Sequence, residues 1–230
     1  MTVDRDNPGC YPVFLKLEGR PCLVVGGGKV ACRKVASLLE ANAGVTVVSP
    51  EAGPEIQRLA AERKITWKRK AFEDTDLEGG DDGEGDGVLL VVGATGDCEL
   101  NRRIFSLADS AGVLVNIVDQ PESCNFLVPS TLSRGPFQIA VSTGGASPLL
   151  ARRVRERLER SFGPHYREVV LRLAELRPLL KERLPDEKKR REFWDMFIDL
   201  DFFDSLIDYR EEIDLKLRER VERCLSQLAD

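Results

Sequence analysis

Residues 22–34 are CLVVGGGKVACRK, and this stretch decides the fold. A short apolar run ends in Gly26, Gly27 and Gly28, and a helix-compatible segment follows at once. Gly26, Gly28 and Ala31 keep the G-x-G-x-x-(G/A) spacing after an expected strand and at the opening of an expected helix, the setting that a dinucleotide-binding turn requires. Gly26 permits the tight turn, Gly28 lets the backbone approach a pyrophosphate, and the small Ala31 allows helix and strand to pack closely. The free N–H groups and positive end of the helix then face the phosphates. A plain glycine turn between strand and helix is the blander alternative, and the flanking pattern weighs against it.

Working outward, VTVV at 45–48, VLLVV at 88–92 and VLVNIV at 113–118 are further short β-branched runs bounded by turn residues, as strands buried on both faces require. Helix-compatible segments at 30–41, 54–63 and 100–111 alternate with them, which predicts an α/β fold with a Rossmann-like, doubly wound parallel sheet. ITWKRK at 65–70 is a weaker strand. EGGDDGEGDG at 78–87 has no apolar residue, so a mobile, solvated insertion is expected there in preference to a calcium loop, whose acids need fixed alternate positions. Beyond Asp119 come Phe126–Val128, a strand at 137–141 and the turn STGGASP, in which Ser147 is placed as a helix N-cap and Pro148 at the first helical position. Helical periodicity fills the rest, over 149–161, 166–184 and 192–228, with breaks at Pro178 and Pro185. The partition is a nucleotide-binding domain (1–115), a short β-rich segment (116–148) and a helical domain (149–230).

The balance of 34 Lys+Arg against 39 Asp+Glu gives a net charge of -5, which argues against a nucleic-acid partner. Cys10, Cys22, Cys32, Cys98, Cys124 and Cys224 show no C-x-x-C spacing, and His165 is the only histidine, so neither a disulfide framework nor a multi-histidine metal site is expected. His165, after Pro164, is given a capping or surface role. The polar, acid-bearing amino terminus does not have the layout of a signal peptide, and no apolar run reaches the roughly 18 residues of a membrane span, so a cytoplasmic protein without a membrane partner is expected.

The cofactor's ribose belongs at the end of the second strand, where Ser49, Pro50 and Glu51 stand. Either the Glu51 carboxylate or the backbone of Ser49 and Pro50 can hold it. No arginine adjoins this turn in sequence, which favours NAD over NADP. Gly93, Ala94 and Thr95 end the fourth strand with small residues suited to a close backbone approach. Asn116 and Asp119 end the fifth, and taken bare an acid there is more often a turn or cap residue than a catalyst.

The whole set is more specific than its parts. YPVFLKLEGRPCLVVGGGKVACRK, then GAT, then NIVDQPESCNFLVPSTLSRGPFQIAVSTGGASPLLARRVRERLE resembles, in order and spacing, the precorrin-2 dehydrogenase family, which includes the amino-terminal module of siroheme synthase and stand-alone dehydrogenase/ferrochelatases. The resemblance runs from about Tyr11 to Arg183. It implies NAD-dependent oxidation of precorrin-2 to sirohydrochlorin, followed in some members by insertion of ferrous iron. It puts NAD contacts on Lys29, Val30, Pro50 and Glu51, the essential aspartate on Asp119, and a serine phosphorylated in some relatives on Ser130. It further implies a homodimer formed by exchange of elements in the β-rich segment. Departures from the family pattern are the acidic glycine insert, a longer carboxyl tail from about Pro185, and no methyltransferase module.

For a substrate carrying many carboxylates, Arg134, Arg152 and Arg153 are candidate anchors, while Arg155 is better read as part of a solvated helix face. Ser142, Thr143, Gly144, Gly145 and Ser147 can offer backbone N–H groups to a carboxylate. Asn116 and Ser130 complete the candidate substrate set, and Asp119 is the candidate base. Two other functions remain open on the sequence: a non-catalytic module that binds NAD or a tetrapyrrole, and an NAD-dependent dehydrogenase for another substrate.

Overall fold

The computed structural model describes residues 9–78, 87–209 and 212–228. The insertion at 78–87 falls almost wholly outside the described residues, and with it both expectations for that stretch. The chain divides into two compact units, Met1–Val128 and Pro129–Asp230. The boundaries drawn from composition were 115/116 and 148/149.

The first unit is one sheet of five parallel strands in the order β3-β2-β1-β4-β5. The strands are β1 (Pro21–Val25), β2 (Gly44–Val48), β3 (Thr66–Lys68), β4 (Leu90–Gly93) and β5 (Leu114–Ile117), joined by helices α1 (Lys29–Glu40), α2 (Pro54–Ala61) and α3 (Cys98–Ser110). Because successive side chains point to opposite faces, each central strand feeds two cores. Val24, Val47 and Val92 pack with Ala31 and Val35 of α1 and Ile56 of α2. Leu23, Val25, Val91 and Val115 pack on the other face with Ile104 and Ala108 of α3. This two-sided burial is why the strands are near-continuous apolar runs. The chain proceeds outward from β1 to β3 and then returns to lay β4 on the other side of β1, so a crevice opens beyond the carboxyl ends of β1 and β4, where sheets of this kind bind ligands.

Edge strand β5 is closed by a side chain. The Asn125 carboxamide oxygen accepts from Val115 N at 2.8 Å, its amide donates to Val113 O at 3.0 Å, and Asn125 N donates to Val115 O at 3.1 Å. One asparagine thus supplies the bonds that a neighbouring strand would make and protects the edge.

The second unit opens with a two-stranded antiparallel sheet, β6 (Ser130–Arg134) and β7 (Phe137–Val141), joined by Gly135-Pro136. Gly135 has φ +63°, as the first central position of a tight hairpin demands. β6 carries a single buried residue, Leu132, which explains why its sequence, STLSR, shows no apolar run. Helices α4 (Pro148–Ser161), α5 (Tyr166–Arg183), α6 (Glu187–Phe197), α7 (Leu200–Ser205) and α8 (Ile213–Gln227) follow. Their shared core holds Tyr166, Val169, Leu180, Phe193, Phe197 and Leu217.

The expected break at Pro178 is not there: α5 runs through it. Proline has no N–H to offer the Ala174 carbonyl, but Val169 on one side of it and Leu180 on the other are both about 1% exposed, and their burial holds the helix in line.

Candidate active site

The glycine turn shows three different demands. Gly26 has φ +121°, and a Cβ there would lie 2.4 Å from the Ala94 carbonyl oxygen. Gly27 is wedged against the loop after β2, where a Cβ would lie 2.0 Å from Glu51 O and 2.7 Å from the Ser49 hydroxyl. Its carbonyl accepts from Gly53 N at 2.9 Å. At Gly28 a Cβ would meet nothing within 4 Å, so this glycine keeps open the space in front of the helix.

Among the three helices of this unit, α3 is capped by Asp97, which accepts from Glu99 N and Leu100 N. α2 carries Glu55 in its first turn. α1 has neither a side-chain cap nor an acid in its first turn. Its first N–H groups, those of Lys29 and Val30 included, and the positive end of a 12-residue helix are directed at the crevice. An anionic group fits there, and the residues present suit a dinucleotide pyrophosphate.

The Ser49 hydroxyl donates to Glu51 O at 2.6 Å, which fixes the turn after β2 and leaves Pro50 and Glu51 exposed. The expectation that no arginine adjoins this turn is corrected by the sheet pairing. Val48 is in register with Lys68, and Ser49 N donates to Lys68 O at 3.3 Å, so Lys68 and Arg69 run beside the turn. The Arg69 guanidinium lies 5.7 Å from the centre of the Trp67 ring, and Trp67 Nε1 donates to Ser49 O at 3.1 Å. Across the crevice, Ala94 and Thr95 are half-buried. The Thr95 hydroxyl is 2.7 Å from Asn101 Oδ1, and Asn101 Nδ2 donates back to Thr95 O at 3.2 Å. Asn101, buried on α3, was not among the expected residues; it holds this loop in place.

Asp119 is exposed in a turn in which Gln120 N donates to Ile117 O at 3.3 Å. Its φ is +60°. Among the described residues, the other non-glycine positions with positive φ, Asn42 and Arg63, follow helix ends, where such a conformation is routine. Asp119 follows a strand. The turn is braced from behind by Cys124, whose thiol lies 3.2 Å from Gln120 O and 3.4 Å from Ile117 O. Asn116, expected at the substrate, is buried, and its amide donates to Phe126 O at 3.2 Å and to Cys124 Sγ at 3.4 Å. What it does in this structure is fasten the segment that carries Asp119.

Lys34 also escaped the sequence reading. It is half-buried on α1 with Asp119 and Cys124 in electrostatic reach, and burial, followed by the charge of Arg33, pushes its ammonium down from the usual lysine range. A signal was available, since Ala31, Val35 and Leu38 form the buried stripe of α1 and Lys34 lies three residues from Ala31, on the same side.

In the second unit the expected cap is present: Ser147 Oγ accepts from Leu150 N at 3.2 Å, with Pro148 opening α4. Thr143 Oγ1 accepts from Ser147 N at 3.0 Å, and Ser142 Oγ accepts from Gly144 N at 3.1 Å. Gly144 and Gly145 have φ +61° and +86°. With Ala146 N bonded to Thr143 O as well, Gly145 N–H is the one in the 144–147 turn that remains for a ligand among the described residues, fewer than the sequence promised. Ser130 begins β6, half-buried. Arg134 donates through Nε to Phe162 O and through Nη1 to Ser133 O, both at 3.1 Å, so part of its guanidinium is committed to structure. Arg152 and Arg153 are exposed and pair with Glu156, while Arg155 pairs with Glu159.

The surface or capping role expected of His165 is corrected. The ring is buried, with neither nitrogen hydrogen-bonded, against Tyr166 at 4.9 Å between centroids, and it makes no cap bond. Gly163 explains the fit, because a Cβ there would lie 2.8 Å from His165 Nδ1. No group of three His, Cys, Asp or Glu side chains suited to hold a metal ion occurs among the described residues.

Residues 13–130 match the family described as "Putative NAD(P)-binding", and residues 134–161 match that described as "Sirohaem biosynthesis protein central". A siroheme synthase from Thioalkalivibrio sulfidiphilus is 41% identical over 215 residues, 94% of this chain and 42% of that protein. A siroheme synthase from Methylobacillus flagellatus is 44% identical over 184 residues, 80% of this chain and 38% of that protein. The chain thus spans about two fifths of the length of these relatives. The solved structure of SirC, a precorrin-2 dehydrogenase, superposes with a TM-score of 0.63 at 30% identity, covering 94% of this chain and all of that one. Coverage of 94% takes in most of the residues after Pro185, so the tail expected to be a departure is shared with SirC.

Proposed function

The chain belongs to the precorrin-2 dehydrogenase family, and on that premise we propose that it oxidises precorrin-2 to sirohydrochlorin in siroheme biosynthesis, with NAD as its cofactor. The observation that carries this reading is the placement of an uncapped helix start and an exposed, left-handed Asp119 carboxylate at the same carboxyl edge of one parallel sheet. When bound, NAD supplies the acceptor for the substrate's hydride. The N–H groups of Lys29 and Val30 hold the pyrophosphate, Gly26, Gly27 and Gly28 shape its path, Pro50 and Glu51 hold the ribose in the turn fixed by Ser49, and Ala94 and Thr95 line the far wall. Asp119 takes the proton that leaves the macrocycle as the hydride departs, and returns it to water.

The substrate's carboxylates are assigned to the remaining donors of Arg134, to Arg152 and Arg153, to the Ser142–Ser147 turn with Gly145 N–H as its open donor, and to Ser130 at the start of the hairpin. Asn116 is assigned to positioning. The reading extends to ferrous iron as a second substrate, with Asp119 accepting the pyrrole protons that the metal displaces. It extends also to a homodimer formed through residues 116–148, and to the cytoplasm for a chain in whose described residues no helix is long and apolar enough to cross a membrane.

The test is anaerobic incubation with enzymatically generated precorrin-2 and NAD, following sirohydrochlorin and NADH by absorbance. Sirohydrochlorin should form only when NAD is present, and Asp119→Asn should abolish its formation while NAD binding survives. Ferrous iron added afterwards should then consume the product faster than in protein-free buffer. NAD binding without any oxidation would leave a non-catalytic binding module.

A further inference from the structure

Strands β2 and β3 are parallel, with Val48 in register with Lys68, so the residues that follow them emerge at one edge of the sheet: Ser49, Pro50 and Glu51 after β2, Arg69 and Lys70 after β3. Two bonds tie these segments together. Ser49 N donates to Lys68 O at 3.3 Å, and Ser49 O accepts from Trp67 Nε1 at 3.1 Å. Both backbone groups of Ser49 are therefore held by β3, and the turn assigned to the ribose cannot shift without it.

The cations at this edge are not equivalent. Lys70 is engaged by Glu73 at 2.7 Å and by Asp76 at 3.1 Å, and Lys68 has interactions of its own. Arg69 is exposed, and among the described residues it makes no ion pair; its guanidinium lies 5.7 Å from the centre of the Trp67 ring. Trp67 is half-buried and packed against the core that holds α1 and α2, so the ring is a fixed shelf. A guanidinium at this distance from an indole is attracted by the ring's quadrupole and keeps its fork of N–H donors for an anion.

The same turn carries an acid, Glu51, which is exposed and makes no ion pair with Arg69, so neither charge cancels the other. In doubly wound folds the acid after the second strand accepts from the ribose 2′-hydroxyl of NAD, whereas an arginine nearby accommodates the 2′-phosphate of NADP. Here both stand at one turn, the arginine brought in by sheet pairing from a strand that lies about twenty residues further along the chain.

We propose that Arg69, held against Trp67, is a specificity-determining residue that receives a 2′-phosphate, so that the crevice takes NADP as well as NAD. This rests on the reading of the crevice as the nucleotide site. A 2′-hydroxyl finds its acceptor in Glu51 or in the turn backbone. A 2′-phosphate is repelled by Glu51 and drawn by the guanidinium through charge-assisted bonds, and the two effects offset.

The test is calorimetric titration of the full chain with NAD and with NADP, in the wild type and in Arg69→Gln, and it needs no macrocycle. The wild type should bind both, with dissociation constants within about tenfold of each other. Arg69→Gln should weaken NADP by about tenfold or more and change NAD by less than about twofold, the unchanged NAD affinity showing that the turn is intact. NADP binding in the wild type weaker than NAD by more than about tenfold, or a loss in Arg69→Gln that falls equally on both nucleotides, would overturn the inference. If neither nucleotide binds, the reading of the crevice falls and the inference with it. NADP binding that Arg69→Gln removes, in a protein that oxidises no precorrin-2, would instead overturn the proposed reaction and leave the inference standing.

Discussion

At the scale of single residues, neighbouring glycines carry opposite predictions. Gly28→Ala adds a methyl group into open space, so the protein should melt as the wild type does while its NAD dissociation constant rises tenfold or more, about 1.4 kcal/mol, because the methyl stands in the way of the pyrophosphate. Gly27→Ala drives a Cβ to 2.0 Å from a backbone carbonyl, so it should lower the melting temperature before any ligand is added. Thermal denaturation with and without NAD separates the two. Asp119 needs the same care. Its left-handed φ means that Asp119→Ala should cost about 1–2 kcal/mol of stability on top of any chemistry lost, whereas Asn tolerates that conformation. Asp119→Asn should therefore remove oxidation and leave the melting curve in place.

At the scale of elements, His165 gives a pH prediction. Burial holds its imidazole below the ordinary value of 6.5, so the unfolded chain binds the proton more readily than the folded one. Stability contributed here is present above the unfolded value and is lost as pH falls from there toward the lower folded value. Urea denaturation from about pH 7 to about 5.5 should show a loss that His165→Phe reduces, with Asp204, which opposes the shift, retained in both proteins. What could be read from sequence also divides by element. β1, β2 and β4 were legible because burial on both faces writes itself as an apolar run. β6 was not, since a hairpin strand with one buried side chain leaves no such trace. Pro178 misled because local propensity was outweighed by packing of the residues around it. Lys34 was illegible as a neighbour of the segment after β5, because that proximity is created by sheet order and not by sequence separation, and Asn125 was illegible as the closure of β5, because a side chain that bonds to strand backbone leaves no periodic trace. The glycine turn and Asp119 were legible, although the reasons for Gly27 and for the left-handed φ of Asp119 came only with the coordinates.

At the scale of the whole molecule, both cores of the first unit are built from residues before Val128. Residues 9–128 expressed alone should fold cooperatively and bind NAD, as read by calorimetry, and should not oxidise precorrin-2, whose carboxylate anchors are assigned to the second unit. The second unit has its own aromatic core and opens on a two-stranded sheet, which is marginal without the helices packed on it. The open start of α1 reaches further than recognition. A helix without a cap is unfinished, and whichever anion settles there takes over the duty that Asp97 performs for α3. The nucleotide is then a structural part of the protein as much as a reagent, and at a hundred times its dissociation constant it adds about 2.7 kcal/mol to the folded state. Cells rich in NAD would hold this chain in a sturdier form than cells depleted of it, so its lifetime against proteolysis would follow the nucleotide pool.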